Sequence, residues 1–284
     1  MYDNRYTRSH PGLQIALLDY SYSMIDPIVQ ATDGSEALTK IDAAAWIIDH
    51  WLYELVEACG GGESGEFKQY LDLAVLKFDD KISSGFNSIP IGELPTTVEK
   101  VNAAGKFEET NVTRDGQSDT LLKWIDTDKE LGGQTKMCAA LQSAEDMIKN
   151  WIPNKEESFP PVVLNVTDGQ ANDCGPDELI KLCDRIKAEK TDNGNALLGC
   201  LHVTSEEINP ILFPTSEQYV RENCKDPFAI LLFHMASTIP DELVERAKKY
   251  GLPVENGSKF FIYGSNFANA GKFFRFGTNP TDPD

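Results

Sequence analysis

Oxygen-bearing side chains follow the first apolar run of the sequence at alternate positions. Asp19, Ser21 and Ser23 come directly after the apolar residues 13–18. In a nearly extended chain, alternate side chains point to the same side, so one carboxylate and two hydroxyls would be presented together. Hard oxygen ligands, without sulfur or imidazole, suit Mg²⁺ or Mn²⁺ rather than zinc.

Two later motifs supply further oxygen atoms. Thr135 ends the sequence Gly-Gly-Gln-Thr before a predicted helix, and Asp168 is the centre of Thr-Asp-Gly after a predicted strand. Taken singly, Thr135 could be only a helix cap and Asp168 only the start of a turn. Asp19, however, ends an apolar strand and needs a charge partner, which a cation would supply. With Ser21 and Ser23, these residues make five candidate metal ligands from three loops.

Apolar runs alternate along the chain with amphipathic helical patterns. Predicted strands lie at residues 13–18, 71–78, 162–166, 196–203, 228–235 and 259–263, with a short edge strand at 86–91. Predicted helices follow a capping pair of Asp33 and Glu36, then Thr135, Pro176 and Pro240, with a last helix at residues 267–274.

The main strands are apolar runs without a regular polar alternation, which is typical of strands buried on both faces. The pattern therefore predicts a doubly wound α/β fold, in which helices cover both faces of a mostly parallel sheet. Such sheets bind ligands beyond the carboxyl ends of their strands, where the candidate ligands lie.

The sequence contains neither a repeat nor a linker that would divide it. Residues 1–284 are predicted to form a single domain with polar insertions at 92–131 and 205–226. These insertions are the candidates for a partner-specific surface, since loops carry recognition more often than cores do. Removal of residues 96–120 is expected to spare folding.

The overall composition is that of a globular, acidic protein. Of 284 residues, 41% are hydrophobic, and 45 acidic against 26 basic residues give a net charge of −19. This charge disfavours nucleic acids and anionic membranes as partners. Apolar runs are far shorter than the roughly 20 residues of a membrane helix, and the first residues lack a signal-peptide core, so a cytoplasmic location is expected.

The cysteines and histidines show no ligand spacing. Six scattered cysteines without a Cys-x-x-Cys pair are expected to be free thiols in a reducing compartment. The four histidines stand alone, which gives a zinc site little support. His202 and His234 lie in apolar stretches and are expected in the core.

The motifs together resemble the metal-ion-dependent adhesion site (MIDAS) of von Willebrand factor A domains. The resemblance rests on Asp-x-Ser-x-Ser after the first strand, Gly-Gly-x-Thr before a helix and Thr-Asp-Gly after a central strand, in that order, over about 260 residues. It implies that Ser21, Ser23 and Thr135 bind the metal directly, while Asp19 and Asp168 act largely through bound water. It also implies that a partner protein completes the shell with an Asp or Glu.

One position departs from the family pattern. The family usually has glycine between the two serines, whereas this chain has Tyr22, next to Tyr20. A bulky ring there would either shield the metal or give a partner an aromatic contact.

Three further stretches, residues 159–169, 192–198 and 232–237, resemble a bacterial subgroup related to the tellurite-resistance TerY-type A domains. The resemblance implies a stand-alone cytoplasmic protein that acts with a protein kinase and a PP2C-like phosphatase in stress or phage-response signalling.

The sequence thus predicts a metal-dependent protein-interaction module that is not an enzyme. A Mg²⁺- or Mn²⁺-dependent phosphohydrolase is one alternative, although the chain lacks a P-loop, a Gly-x-Ser-x-Gly elbow and a second Asp at position 21. A scaffold with a purely structural metal site is the other.

Overall fold

The computed structural model describes residues 2, 6–28, 38–60, 66–114, 117–127, 132–169, 171–206, 209–249 and 251–264, without the side chains of 107–121. The strands are β1 (Gly12–Asp19), β2 (Leu71–Phe78), β3 (Ile82–Ser84), β4 (Thr96–Thr97), β5 (Lys106–Arg114), β6 (Gln117–Lys123), β7 (Val162–Thr167), β8 (Lys190–Thr191), β9 (Gly194–Asn195), β10 (Leu197–Val203), β11 (Ile211–Leu212) and β12 (Phe261–Gly264). The helices are α1 (Lys40–Cys59), α2 (Val98–Ala104), α3 (Met137–Trp151), α4 (Pro176–Ala188), α5 (Glu217–Asn223), α6 (Pro227–Met235) and α7 (Asp241–Lys249).

The main sheet has the order β11-β12-β10-β7-β1-β2-β3, and β4 also pairs with β2. Strands β2, β1, β7, β10 and β12 run parallel, and the short strands β3, β4 and β11 are antiparallel at the edges. The connections between the parallel strands contain helices, as parallel pairing requires. The prediction of a doubly wound α/β fold is confirmed.

Helices cover both faces of the sheet, and the side chains of β1 show why its sequence is mainly apolar. Ala16 and Leu18 pack into the core beneath α1, α2 and α7. Ile15 and Leu17 point the other way, into the core beneath α3, α4 and α6. All residues of β1 are buried, because a strand between two cores has no solvent face.

Helix α1 begins later than the sequence pattern predicted. Its start is Lys40, preceded by Thr39, which forms a capping box with Asp42. The predicted cap, Asp33 with Glu36, lies outside the described residues, as does the predicted helix at 267–274.

The predicted strand at 228–235 is wrong, because this segment is helix α6. Asp226 caps the helix by accepting a hydrogen bond from the Phe228 amide at 2.8 Å, and Pro227 occupies the first turn. The helix is apolar at almost every position, and a short run of this kind shows no period that separates a buried helix from a strand. The helix turns His234 outward, half-exposed and paired with Glu217, so its expected place in the core is also wrong.

His202 lies where it was expected, in the core. Only 1% of its surface is exposed, and its Nε2 lies 3.2 Å from an Asp226 carboxylate oxygen.

The predicted edge strand at 86–91 is wrong too. The edges beside β2 are β3 and β4, while Phe86 and Ile89 are buried in a loop between them. Buried apolar side chains at nearby positions therefore anchor a loop here rather than a strand.

The segment 92–131, predicted to be a polar insertion, contains α2 and the hairpin of β5 and β6. Val98 and Val101 of α2 are fully buried in the core beneath α1. The Trp124 indole donates a hydrogen bond to the Val101 carbonyl at 2.6 Å. Asp49 of α1 accepts hydrogen bonds from the Trp124 and Ile125 amides at 2.8 and 3.0 Å. These contacts argue against the expectation that residues 96–120 are dispensable for folding. The segment 205–226 contains β11 and α5.

Helices α3 and α4 are joined by an ion-pair cluster around Glu145. The Glu145 side chain is fully buried and accepts hydrogen bonds from Arg185 at 2.7 Å and from Lys149 at 2.6 Å. The hydrogen bond from Arg185 is the main reason that the pKa of Glu145 is lowered to about 2.

We expect Glu145→Gln to lower the free energy of unfolding by about 1 kcal/mol at neutral pH, since both basic partners are half-exposed and screened by solvent. A carboxyl whose pKa is lower in the folded state stabilises the fold above its unfolded pKa. The difference between wild type and variant should therefore shrink as the pH falls from 4.5, the ordinary value, toward 2. Urea unfolding across this range measures it, with Asp146→Asn on the same helix as the control. A difference that does not change with pH would contradict this interpretation.

In the described part of the chain, no helix has the length and apolarity needed to cross a membrane.

Candidate metal centre

The candidate ligands lie at the topological switch point of the sheet, where the connections from two neighbouring strands lead to opposite sides. Asp19 ends β1 and Asp168 directly follows β7, its parallel neighbour. From β1 the chain continues to β2 on one side, and from β7 it continues to β10 on the other. The carboxyl ends of such a pair of strands flank the crevice in which doubly wound sheets bind ligands.

The Asp19 carboxylate is buried, and hydrogen bonds hold both of its oxygens. Its Oδ1 accepts from the Ser21 amide at 2.9 Å, and its Oδ2 accepts from the Thr167 hydroxyl at 2.5 Å. Burial, and then the neighbouring charge of Asp168, raise the pKa of Asp19 to about 7, while the hydrogen bonds act in the opposite direction. The carboxylate is therefore held in one orientation.

The two serines place their hydroxyls side by side. A 3-10 helix, Tyr22–Ile25, turns the chain after β1, and the Oγ atoms of Ser21 and Ser23 lie 3.2 Å apart. Neighbouring ligands of an octahedral Mg²⁺ at roughly 2.1 Å are separated by about 3 Å. The separation of these hydroxyls therefore fits two adjacent positions in the coordination shell of such an ion.

Hydrogen bonds link the Thr135 loop to both neighbouring loops. The Tyr22 amide donates to the Gly133 carbonyl at 3.5 Å. The Thr135 amide donates to the Asn172 side-chain oxygen at 2.9 Å, and the Asn172 amide donates to the Thr135 carbonyl at 2.9 Å. Thr135 is buried and is not the cap of α3, whose N-cap is Lys136. Helix capping therefore does not explain this threonine.

Gly133 allows the Thr135 loop to approach the end of β2. Its φ of +105° is one that other residues rarely adopt, and an added Cβ would lie 2.4 Å from an Asp80 carboxylate oxygen. The other Asp80 oxygen accepts a hydrogen bond from the Gln134 amide at 2.9 Å. The glycine of this motif is required by close packing.

Asp168 is paired with a lysine that the sequence analysis did not single out. Lys40 Nζ lies 3.2 Å from Asp168 Oδ2, 3.1 Å from Asp26 Oδ2 and 3.3 Å from the Ser23 carbonyl oxygen. The Lys40 side chain is 10% exposed and that of Asp168 is 9% exposed. The candidate centre therefore contains a fixed positive charge beside its carboxylates.

The two tyrosines of the first motif have different surroundings. Tyr20 is buried, its hydroxyl donates to the Asp126 carbonyl, and Lys77 Nζ lies 4.6 Å from its ring centre. Tyr22 is 66% exposed. Of the two, Tyr22 is the ring that a partner could contact.

A disulfide joins the first turn of α3 to the segment after β7, which corrects the expectation of free thiols. Cys138 at the start of α3 is bonded to Cys174, with 6.2 Å between their Cα atoms. Between them, Asp173 accepts hydrogen bonds from the Cys138 and Ala139 amides at 3.1 and 2.9 Å. The segment after Asp168 is thus bound to the helix that follows Thr135. The other four cysteines are free and buried: Cys59, Cys183, Cys200 and Cys224.

The structure therefore gathers the predicted ligands at one edge of the sheet, and their binding of a metal stays a prediction. Hydrogen bonds connect Asp19 with Ser21 and Ser21 with Ser23, and Thr135 is held through its loop. Sequence reasoning missed Lys40, Thr167 and Asn172. A signal existed only for Thr167, which belongs to the Thr-Asp-Gly motif.

No protein-family model and no curated protein matches the sequence. Among solved structures, two of proximal thread matrix protein 1 from the mussel byssus, one with a zinc-occupied MIDAS motif, are 13% identical. Their TM-scores are 0.47 and 0.46, over 95% and 96% of this chain and 48% and 46% of theirs. A von Willebrand factor type A structure from Catenulispora acidiphila is 11% identical, with a TM-score of 0.36 over 68% of this chain and 33% of that one.

The chain spans about half or less of the length of these proteins. With TM-scores below 0.5, the similarities establish neither a family nor a ligand for this chain.

Proposed function

We propose that this protein is a divalent-metal-dependent protein-interaction module without catalytic turnover. One observation carries the proposal. The hydroxyls of Ser21 and Ser23 lie 3.2 Å apart, beside the carboxylates of Asp19 and Asp168, at the topological switch point of the sheet. No Cys or His belongs to this set of donors, so we propose Mg²⁺ or Mn²⁺ as the ion.

The roles of the residues are those that the resemblance implies. Ser21, Ser23 and Thr135 would bind the ion directly through their neutral hydroxyl oxygens. Asp19 and Asp168 would act largely through bound water, as the resemblance implies; each Asp19 oxygen accepts one hydrogen bond, and one Asp168 oxygen is paired with Lys40. When bound, the ion would supply a positive charge that accepts a carboxylate from another protein.

The surroundings restrict the partner. An acidic partner would meet a chain with a net charge of −19, so the carboxylate that reaches the ion must stand on a neutral or basic surface. Tyr22, exposed within the ligand motif, provides an aromatic contact next to that carboxylate. We propose as partner a protein that presents an Asp or Glu from such a surface.

A kinase and a PP2C-like phosphatase in a bacterial stress or phage-response system are the partners that the resemblance of residues 159–169, 192–198 and 232–237 favours. The same resemblance supports a cytoplasmic location. The disulfide counts against that location, since disulfides persist mainly in oxidising compartments.

The phosphohydrolase alternative gains no support from the contacts of the aspartates. A nucleophilic carboxylate needs one free oxygen that faces the substrate. Both oxygens of Asp19 accept hydrogen bonds, and one oxygen of Asp168, Oδ2, is paired with Lys40, so no described contact marks either carboxylate as a nucleophile.

Affinity capture in Mg²⁺ and in EDTA tests the proposal. The tagged wild-type protein should retain proteins in Mg²⁺ that EDTA releases, and mass spectrometry would identify them. Ser21→Ala combined with Ser23→Ala should lose the same proteins, whereas Ser143→Ala, a serine of α3 that bonds to the Ala139 carbonyl, should keep them. If EDTA lowers the melting temperature but releases no protein, the metal is structural and the interaction proposal is wrong.

A further inference from the structure

The position of Lys40 is unusual for a lysine. It is the first residue of α1, where the helix dipole already places a positive charge, and its side chain is 10% exposed. Burial of an ammonium group is unfavourable unless partners compensate its charge. Lys40 therefore needs its oxygen partners in order to occupy this place.

Two of those partners come from the candidate ligands Asp168 and Ser23, and the third is Asp26. Asp168 follows β7, whereas the Ser23 carbonyl and Asp26 follow β1. Asp168 and Lys40 are both nearly buried, so solvent screens this pair poorly, whereas the Asp26 side chain is 60% exposed. The main counter-charge of the lysine is thus the carboxylate that a metal ion would also use.

We propose that Lys40 is a tethered counter-ion of the metal centre, which sets the metal concentration at which the centre fills. This inference rests on the proposed metal-binding function. Without metal, the ammonium group neutralises Asp168 and holds the loop after β7 against the loop after β1. When a divalent ion approaches, the same ammonium group repels it and keeps one oxygen of Asp168 engaged.

The arrangement has a functional consequence. A centre without an internal cation would bind its ion tightly and stay filled. A lysine on Asp168 weakens the binding and keeps the metal-free centre folded, so occupancy can follow the metal concentration or the arrival of a partner's carboxylate. Lys40 is in this sense a positioning residue, since it acts on the metal through Asp168.

Metal titration of Lys40 variants tests the inference. Lys40→Met keeps the aliphatic length without the charge, and Lys40→Arg keeps the charge as the matched control. We expect Lys40→Met to bind Mg²⁺ and Mn²⁺ about ten times more tightly than wild type in calorimetry. In EDTA it should melt at a lower temperature, and Mg²⁺ should restore the loss. Lys40→Arg should remain near wild type in both measurements.

A second variant covers the case that Lys40→Met does not fold. Lys40→Gln keeps a hydrogen-bond donor for Asp168 without the charge, and it should also bind metal more tightly than wild type. If wild type binds metal and a folded, uncharged variant binds it equally or more weakly, the inference is wrong while the proposed function stands. If neither wild type nor any folded variant binds metal, the proposed function fails, and the role of Lys40 fails with it.

Discussion

Deletion of residues 96–120 is expected to unfold the protein. The deletion removes Val98 and Val101, both fully buried, and leaves the Trp124 indole without its acceptor, the Val101 carbonyl. Loss of a large buried side chain from a core costs about 2–5 kcal/mol, and whole domains are stable by only about 5–15 kcal/mol. Circular dichroism and size-exclusion chromatography should show loss of the cooperative thermal transition.

A shorter change in the same segment serves as the control. Replacing residues 110–119 with a two-residue turn removes the end of the hairpin but retains α2 and the pairing of Lys106 with Lys123. This variant should fold and melt cooperatively. A stable, monomeric protein after deletion of 96–120 would show that α2 is not part of the core.

Removal of the disulfide is expected to give the second-largest loss of stability. The bond between Cys138 and Cys174 closes a loop across a sequence separation of 36 residues. A disulfide that closes a loop of this size is expected to stabilise the fold by about 3–4 kcal/mol, because it lowers the conformational entropy of the unfolded chain. Cys138→Ser combined with Cys174→Ser should therefore lower the midpoint of urea unfolding markedly. Metal affinity should fall as well, since the bond holds the loop after Asp168 against the helix that follows Thr135.

Two controls separate this effect from a general effect of reductant. Dithiothreitol should lower the stability of the wild type to that of the double variant and leave the variant unchanged, because the remaining cysteines are free and buried. In denaturant without reductant, the wild type should react as a protein with four free thiols. Six reactive thiols would show that the bond does not form.

The fold was predictable where burial leaves a pattern in the sequence. Strand β1 was predicted because a strand covered on both faces is mainly apolar without a polar alternation, and Asp19 marks its end. Helix α6 was not, since its nine residues are apolar on all sides, although the cap Asp226 and the proline at the first turn were available as helix signals. The segment around α2 was misjudged because it supplies few buried residues, widely spaced along the chain.

The candidate metal centre was predictable only in part, for a related reason. The sequence shows that oxygen-bearing side chains alternate after the first strand, and it shows the order of the three motifs. These two features predicted the place of Asp19, Ser21 and Ser23. The lysine that pairs with Asp168 could not be predicted from the sequence. Lys40 is 128 residues away from Asp168, and a lysine at the start of a helix is usually a surface residue. The cysteine pair, separated by 36 residues, gave no signal either.

Calorimetric titration of Mg²⁺ into the wild type and into the Ser21→Ala, Ser23→Ala variant tests the metal centre most directly. The wild type is expected to bind one ion in a saturable way. The variant, with an unchanged circular dichroism spectrum, should bind it at least about 100-fold more weakly, since both adjacent hydroxyl ligands are gone. Equal affinity in the two proteins, or the absence of Mg²⁺ and Mn²⁺ binding by the wild type at millimolar concentration, would contradict the proposed centre.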